Sequence, residues 1–565
     1  MCGIAGLFGA GWDDTRLGAM IAAQRHRGPD DVGALTQGIA RLGHDRLSII
    51  DLSAAGRNPM ISSDGRYAIV LNGEIYNYRE LRQELRDYPF RSSTDTEVAL
   101  AAYAAWGERC LERFVGMFSF LIWDDERRRL FGARDRFGVK PFYYWEPEPG
   151  RLAIASEVKA LFAAGLPRDP DPAVWASYLA HGSYGAPDET FWRGARSLPA
   201  GCSLTFEDGR LRTRAWYDFV ASTSEVDVRD ESVVAEEYGA LLAQTIELRF
   251  RADVPVGINL SGGLDSSTLL ALVHGLQGPE SAVHAYSFVT GHAAYDELPW
   301  VEEMLRRTSH PHSAVALIAA EVPGLARDVA AIEDEPYGGL PTLAYAKVFE
   351  AARADGVIVL LDGQGMDEQW AGYDYYLPNA KDAIVQGVAS SPLRPAALSR
   401  ELAALAVAPA YPTPYPDRLR NLQYRDTFYT KLPRALRFND RISMRASTEL
   451  REPFLDHRLF ELAFRQHEER KLGGGQRKRL LRTLVRELMP AAIVDAPKRP
   501  LQTPQREWLR GPLRAWATDT IEAGMRRRAG WLDPSVVRRE WEAFLGGAVD
   551  NSFFVWQWLG LELDA

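Results

Sequence analysis

The sequence predicts an α/β protein of two domains, and three observations carry that reading. In the carboxy-terminal half, all-apolar runs such as Val357-Ile358-Val359-Leu360-Leu361 alternate with helix-like stretches, the pattern of a parallel sheet covered by helices. Near residue 215 the texture changes from short polar strands to the acid-rich run Ser224-Glu225-Val226-Asp227-Val228-Arg229-Asp230-Glu231-Ser232. A chain of 565 residues also exceeds what one hydrophobic core holds together. The domains expected are 2–215 and 216–565.

Composition narrows the class. Hydrophobic residues make up 46% and charged residues 25%, the proportions of a soluble globular protein. A net charge of -10 argues against a nucleic-acid partner held by general electrostatics, so anionic substrates must be met by local sites. The three cysteines, Cys2, Cys110 and Cys202, form no CxxC pair and are odd in number, which indicates neither a disulfide framework nor a zinc site. No apolar run reaches membrane-span length, and no basic region followed by an apolar one opens the chain. A cytoplasmic enzyme is expected.

In chain order, Met1-Cys2-Gly3-Ile4-Ala5-Gly6-Leu7-Phe8 is strand-like and places a cysteine beside the initiator methionine. With Met1 removed, Cys2 carries a thiol and an α-amine, and an amine of pKa about 8 can serve as base to the thiol. By position alone, a small buried cysteine accounts for Cys2 equally well. Gln24-Arg25-His26-Arg27-Gly28-Pro29-Asp30-Asp31 reads as a helix end and turn. Gly43-His44-Asp45-Arg46-Leu47-Ser48-Ile49-Ile50-Asp51 is a strand, and Ala68-Ile69-Val70-Leu71-Asn72-Gly73-Glu74-Ile75 is a strand breaking at Asn-Gly. Ser93-Thr94-Asp95-Thr96-Glu97 caps a helix over 98–106. These segments resemble the class II glutamine amidotransferase domain. The resemblance implies an N-terminal-nucleophile (Ntn) hydrolase α/β/β/α sandwich. It implies attack by Cys2 on the glutamine amide and an oxyanion hole from the Asn72 side chain and the Gly73 N–H. Arg46 would hold the substrate α-carboxylate, and Asp95, with Glu74 beside it, the α-ammonium. Segments 134–144 and 155–161 match the same family and are read as structural, with a share in the interface to the second domain. Cys110 and Cys202 match no motif and read as packing residues.

The second domain is organised around Ser261-Gly262-Gly263-Leu264-Asp265-Ser266-Ser267, which follows the apolar run through Leu260 and precedes a helix-like run. Two glycines let backbone approach an anion, and free N–H groups with the hydroxyls of Ser261, Ser266 and Ser267 can bind phosphate oxygens. A Walker A loop requires a lysine that is absent here. Asp265 would repel bare phosphate, which makes a bridging Mg²⁺ its natural role. Val283-His284-Ala285-Tyr286-Ser287-Phe288-Val289 is the next strand. The strand 357–361 ends in Asp362-Gly363-Gln364-Gly365-Met366-Asp367-Glu368. Ligands of an open α/β sheet sit at the carboxyl ends of strands, so this loop is expected to face the first, with Asp265 and Asp367 as paired Mg²⁺ ligands. The stretch 380–435 carries no chemical signal, and the tail 552–563 has the spacing of a packed helix.

With the segments at 440–444, 449–457, 476–482 and 497–500, residues 215–565 resemble the ATP-pyrophosphatase (adenine nucleotide α-hydrolase-like) domain of glutamine-dependent asparagine synthetases. The resemblance implies a carboxylate activated by ATP and Mg²⁺ as an acyl-adenylate, then amidated by ammonia from glutamine. Lys498, Lys478 and Arg441 would neutralise developing phosphate charge, and backbone near Leu260, Ser287 and Gly363 would hold adenosine. The expected partners are small molecules: glutamine, ATP and a carboxylate such as aspartate. The sequence leaves the oligomeric state undetermined, with a homodimer as one open alternative. This chain departs from the family at Gln364, where a glutamate is usual, at Met366, where a small residue is, and at Gln369-Trp370. These positions are expected to bear on which acid fits, and a tailoring enzyme acting on another carboxylate is the second reading. A degenerate, non-catalytic relative is the third, and intact Cys2, Asn72, Asp265 and Asp367 oppose it.

Overall fold

The computed structural model describes residues 1–292, 295–377, 392–498, 503–548 and 551–563. Part of the featureless stretch 380–435 and the end of the 497–500 segment lie outside these residues. Alternation along the first strand, Gly3–Phe8, sets the architecture of the amino-terminal half. Ile4 and Phe8 face a core shared with Ala68, Val70, Leu121 and Trp123, whereas Ala5 and Leu7 face Leu17, Met20 and Ile21 of the helix Asp14–Ala23. The strand is therefore buried on both faces, as a central strand between a second sheet and a helix layer must be.

Two six-stranded antiparallel sheets result. One runs Arg196–Ser197, Tyr143–Glu148, Arg151–Ala155, Gly3–Phe8, Ala40–Arg46, Asp31–Gln37. The other runs Arg210–Ala215, Cys202–Glu207, Arg129–Arg134, Gly116–Asp124, Tyr67–Ile75, Met60–Ile61. On the outer face of the second sheet, Ile69 and Leu71 pack under Val98 and Ala102 of the helix Asp95–Trp106. Thr94 caps that helix by accepting the Glu97 N–H, so it starts three residues earlier than the apolar run suggested. This is the α/β/β/α arrangement of an Ntn hydrolase.

The carboxy-terminal half holds a five-stranded, all-parallel sheet ordered His312–Ala316, His284–Val289, Val256–Asn259, Val359–Leu361, Glu449–Arg451. From Val256–Asn259 the chain winds outward through 284–289 and 312–316, then returns to build the other side. The adjacent strands Val256–Asn259 and Val359–Leu361 therefore flank the switch point, where a crevice opens beyond their carboxyl ends. The tail helix Phe553–Leu563 buries Phe554, Trp556, Trp558 and Leu559 against the body of the protein. Among the described residues no helix is long and apolar enough to cross a membrane.

A buried ionic cluster joins the halves. Glu157 Oε1 accepts from Arg27 Nη1 at 2.8 Å and lies 3.0 Å from His26 Nε2 and 3.1 Å from Arg441 Nη1, while Lys159 meets Oε2 at 2.5 Å. Arg27 also donates to Asp440 at 2.9 Å. Beside the cluster, Phe137 packs on Phe460, their rings 4.8 Å apart. Arg441 is thus corrected from a phosphate-binding residue to an interface residue. It is fully buried and committed to Glu157 and the Ser156 carbonyl.

Burial alone would raise the Glu157 pKa, but His26, Lys159 and Arg441 hold it well below the usual carboxylate range. Its stabilisation is therefore fully present above the ordinary glutamate pKa and lost as pH falls through the depressed folded value. Breaking a buried ion pair costs about 3–5 kcal/mol. Glu157→Ala is expected to lower Tm clearly at neutral pH, with the deficit shrinking below about pH 4. Matching melting curves at neutral pH would contradict this role.

Candidate active sites

The first site lies at the start of the chain. Cys2, Arg46, Gly73, Glu74 and Asp95 line one pocket, together with Leu47, Asn58 and Thr96. The Cys2 backbone nitrogen donates to Asn72 Oδ1 at 3.0 Å, and Arg27 Nε donates to the Cys2 carbonyl at 3.0 Å. Asn72 is fully buried, and its Nδ2 has no hydrogen-bond partner among the described residues. A buried unpaired N–H₂ is costly, and a developing oxyanion is the kind of acceptor that relieves it. Gly73 has φ +138°, and a Cβ there would run into the Met117 carbonyl and Phe118 Cα. Only glycine keeps this strand close enough to its neighbour.

The remaining groups of this pocket are held from outside it. Carbonyls of Ile50, Asp51 and Ser53 grip the Arg46 guanidinium, which fixes its plane at the pocket wall. Asp95 Oδ2 accepts the Ile75 N–H at 2.8 Å, yet burial, opposed by that bond, pushes its pKa up to about 6. Burial, with Glu449 and Asp95 nearby, raises Glu74 well above the usual range. Both carboxyls would therefore gain from an incoming cation. Burial also raises the Cys2 thiol, while the neighbouring terminal ammonium and Arg46 oppose that shift. The Met1 ammonium itself is buried 3.1 Å from Glu449 Oε2, a residue of the parallel sheet.

The second site fills the crevice of the parallel sheet. Its pocket is lined by Ser261, Gly263, Leu264, Asp265 and Ser266 of the first loop and by Asp362, Gly363, Gln364, Gly365 and Asp367 of the second. Gly262 turns the chain at φ +70°, pressed against Trp300 and Val301, and Gly263 caps the helix Leu264–Gln277 without a side chain. The helix's first N–H groups are left to face the pocket. Lys478 Nζ sits between the loops, 2.6 and 2.7 Å from the Asp265 oxygens and 2.6 Å from Asp367 Oδ1, and Lys498 bonds the other Asp367 oxygen. Gly372 is required beneath this cluster, because a Cβ would collide with Asp367 Oδ1 and Lys478 Cε. Burial lowers Lys478 and takes Lys498 down to about 8. A second hollow shares Ser261, Glu297, Tyr345 and Asp362 with the first and adds the apolar side chains of Leu260, Tyr286, Phe288 and Val348.

Several sequence expectations change here. Ser267 is fully buried and does not line the pocket, so its hydroxyl is no phosphate ligand. The expectation at Ser287 concerned backbone and is not overturned: its hydroxyl donates to the Leu260 carbonyl at 2.5 Å, tying adjacent strands together, and its neighbours Tyr286 and Phe288 line the second hollow. Met366 is buried against Tyr238, whose hydroxyl lies 3.6 Å from its sulfur. Gln369 takes the Tyr238 hydroxyl at 2.9 Å and donates to the Phe454 carbonyl, and the Trp370 ring meets Tyr238 edge-on at 5.0 Å. These three departures form a core beneath the loop. Of the four, Gln364 alone faces the pocket. Pocket residues missed in sequence are Glu297, Tyr345, Arg477 and Arg482. Arg477 and Arg482 belong to the basic run at 476–482, and Glu297 to the helix start at 295–297, which were the available signals.

Comparison with known proteins agrees with this two-site arrangement. Residues 1–217 match the glutamine amidotransferase domain family, and residues 237–565 match the asparagine synthase family. Asparagine synthetase [glutamine-hydrolyzing] 1 of Bacillus subtilis (strain 168) is 27% identical over 98% of this chain and 95% of its own length. Asparagine synthetase B [glutamine-hydrolyzing] of Escherichia coli (strain K12) is 28% identical over 87% of this chain and 80% of its own. Amidase chyE of Penicillium rubens is 31% identical over 62% of this chain and 54% of its own. With an asparagine synthase match spanning more than half its length and a glutamine amidotransferase domain ahead of it, the chain belongs to the asparagine synthase family.

Proposed function

We propose that the protein converts a carboxylate, ATP and glutamine to an amide, AMP, pyrophosphate and glutamate, with aspartate as the first acceptor to test. The observation that carries this reading is one strand that touches both sites. Arg451 of Glu449–Arg451 lies 3.5 Å from Glu74 of the first pocket, and its carbonyl accepts the Asp362 N–H of the crevice loop at 2.9 Å. In this reading, nitrogen released at one site is used at the other without leaving the protein.

In the first site, the Cys2 sulfur attacks the glutamine amide carbon. The thiol proton passes to the Cys2 nitrogen, and from there to the departing ammonia. That nitrogen is an amine only once Met1 has been removed, and the Asn72 Oδ1 bond already orients it. Asn72 Nδ2 and the Gly73 N–H stabilise the oxyanion, Arg46 meets the α-carboxylate, and Asp95 with Glu74 meets the α-ammonium. Water then frees glutamate from the thioester.

In the second site, the acid's oxygen displaces pyrophosphate from the α-phosphorus. The helix N-terminus with Ser261 and Ser266, and then Lys478 and Lys498, take up the phosphate charge. Two carboxylates from opposite loops converging on one cation, Lys478 Nζ, are also a donor set that would suit Mg²⁺. Mg²⁺ held by Asp265 and Asp367 would supply charge neutralisation of the pyrophosphate. The hollow at Leu260, Phe288 and Tyr345 takes adenine.

A second reading keeps the reaction and changes the acid. Gln364 in the pocket wall favours it, because an amide offers hydrogen bonds where a glutamate is usual in the family. The deciding experiment supplies the purified chain with ATP, Mg²⁺ and glutamine and screens acids, aspartate first. AMP and asparagine are expected, and Cys2→Ala should abolish the glutamine-dependent rate while leaving the ammonia-dependent one. AMP formation with a different acid alone would sink aspartate and leave the reaction class standing. Loss of both rates in Cys2→Ala would contradict the two-site division.

Titration of the first site gives a separate test. Asp95 must be ionised to hold an ammonium, and burial sets its pKa at about 6. The KM for glutamine should therefore rise as pH falls through that value, and Asp95→Asn should raise KM and flatten the dependence. A KM independent of pH between about 5 and 8 would contradict the assignment.

A further inference from the structure

Among the described residues, four cations line the crevice pocket: Arg477, Lys478, Arg482 and Lys498. Three of them are engaged. Lys478 lies 2.6 Å from both Asp265 and Asp367, and Lys498 pairs with Asp367. Arg482 donates to the carbonyls of Arg477, Val494 and Ala496. Arg477 is different. A guanidinium has five N–H donors, and this one makes a single bond, to the Gly372 carbonyl at 3.3 Å. Among the described residues no carboxylate lies within ion-pair distance of it. It lines the pocket half-buried, with its other donors unpartnered.

The backbone here is built to present it. Gly474 and Gly475 turn the chain at φ +65° and +76°, and Lys478, just before the helix Arg479–Val485, stands at φ +56°. A lysine in the left-handed region is strained, and such strain is kept only where the surroundings impose it. One anchor is the Arg477 carbonyl, which accepts from Arg482 Nε at 2.8 Å. As a result, two consecutive side chains line one crevice. Lys478 reaches the carboxylates of both loops, the phosphate end in the reading above. Arg477 reaches Gly372 instead, on the segment that also supplies Gln364 and Glu368 to the pocket. Gln364 adds no charge there, where a glutamate is usual in the family, and Glu368 accepts the Tyr373 hydroxyl at 2.7 Å.

We propose that Arg477 selects the acid by binding a second anionic group on it, apart from the carboxylate that is activated. The proposal rests on the amide-forming reading above. A guanidinium fork fits a carboxylate with two parallel N–H bonds, and a hydrogen bond to an ionised acceptor is stronger than a neutral one. The acid so chosen is dianionic. Aspartate belongs to this class, because its α-carboxylate stays free when the side-chain carboxylate is adenylated, and so do longer or substituted diacids. ATP supplies the other oxyanions of the crevice, and these have Lys478, Lys498 and the N-terminus of the helix Leu264–Gln277 to meet them.

Paired acids test this. The full chain would be given ATP, Mg²⁺ and ammonium with each acid it accepts, and with the analogue in which hydrogen replaces the second anionic group. For aspartate that analogue is β-alanine. The kcat/KM from AMP release should be lower for the analogue by about 10²-fold. Arg477→Met should lower the value for the dianionic acid by a similar factor and erase the preference. It should leave the analogue's value and the KM for ATP within about twofold. Arg477→Lys, which keeps the charge without the fork, should fall between. A raised KM for ATP with equal losses for both acids would overturn the proposal and give Arg477 to the phosphates. Unchanged rates with both acids in Arg477→Met, or an unaltered chain that activates only acids with no second anionic group, would overturn it too. If no acid supports AMP formation, the amide-forming reading fails and the proposal falls with it.

Discussion

The pairing of the strand Glu449–Arg451 with its two surroundings is the constraint on which the rest depends. As an edge of the parallel sheet it hydrogen-bonds Val359–Leu361, so its end is fixed beside the crevice loop. Its other side is not solvent but the amidotransferase half, where Glu449, Arg451 and Lys140 form a buried charged seam. An exposed edge would invite association, and here the neighbouring domain covers it. Both sites take their geometry from this strand. If it shifts, the Asp362 N–H loses its acceptor, and Glu74 loses the cation beside it.

Low dielectric explains why so much ionisable chemistry is collected along that seam. Buried carboxyls without full pairing, such as Glu74 and Asp95, move upward, while Glu157, ringed by His26, Lys159 and Arg441, moves down. The same residue type thus serves two ends. The ringed carboxylate locks the halves together. The unpaired ones are poised to receive a cation, which is what glutamine's ammonium brings.

What the sequence disclosed was local. The glycine-serine loop at 261–267, its partner at 362–368 and Cys2 each carry their chemistry in a few consecutive residues, so spacing alone placed them at strand ends. Which side chains turn inward was not legible. Ser267, one residue past Ser266, rotates on the helix into the core, and Met366, one residue before Asp367, does the same. Arg441 reads as another basic residue near a phosphate site, yet an acid 284 positions earlier, Glu157, claims it.

The central claim is that the two sites act as one across the seam, and isotopic transfer tests it most directly. The chain would be supplied with glutamine labelled with ¹⁵N at the amide and a large excess of unlabelled ammonium, and the amide product analysed by mass. The structure predicts that the product retains the ¹⁵N of glutamine, undiluted by the bulk. A product whose label matches the bulk ammonium pool would contradict it, because nitrogen would then leave the protein between the two reactions.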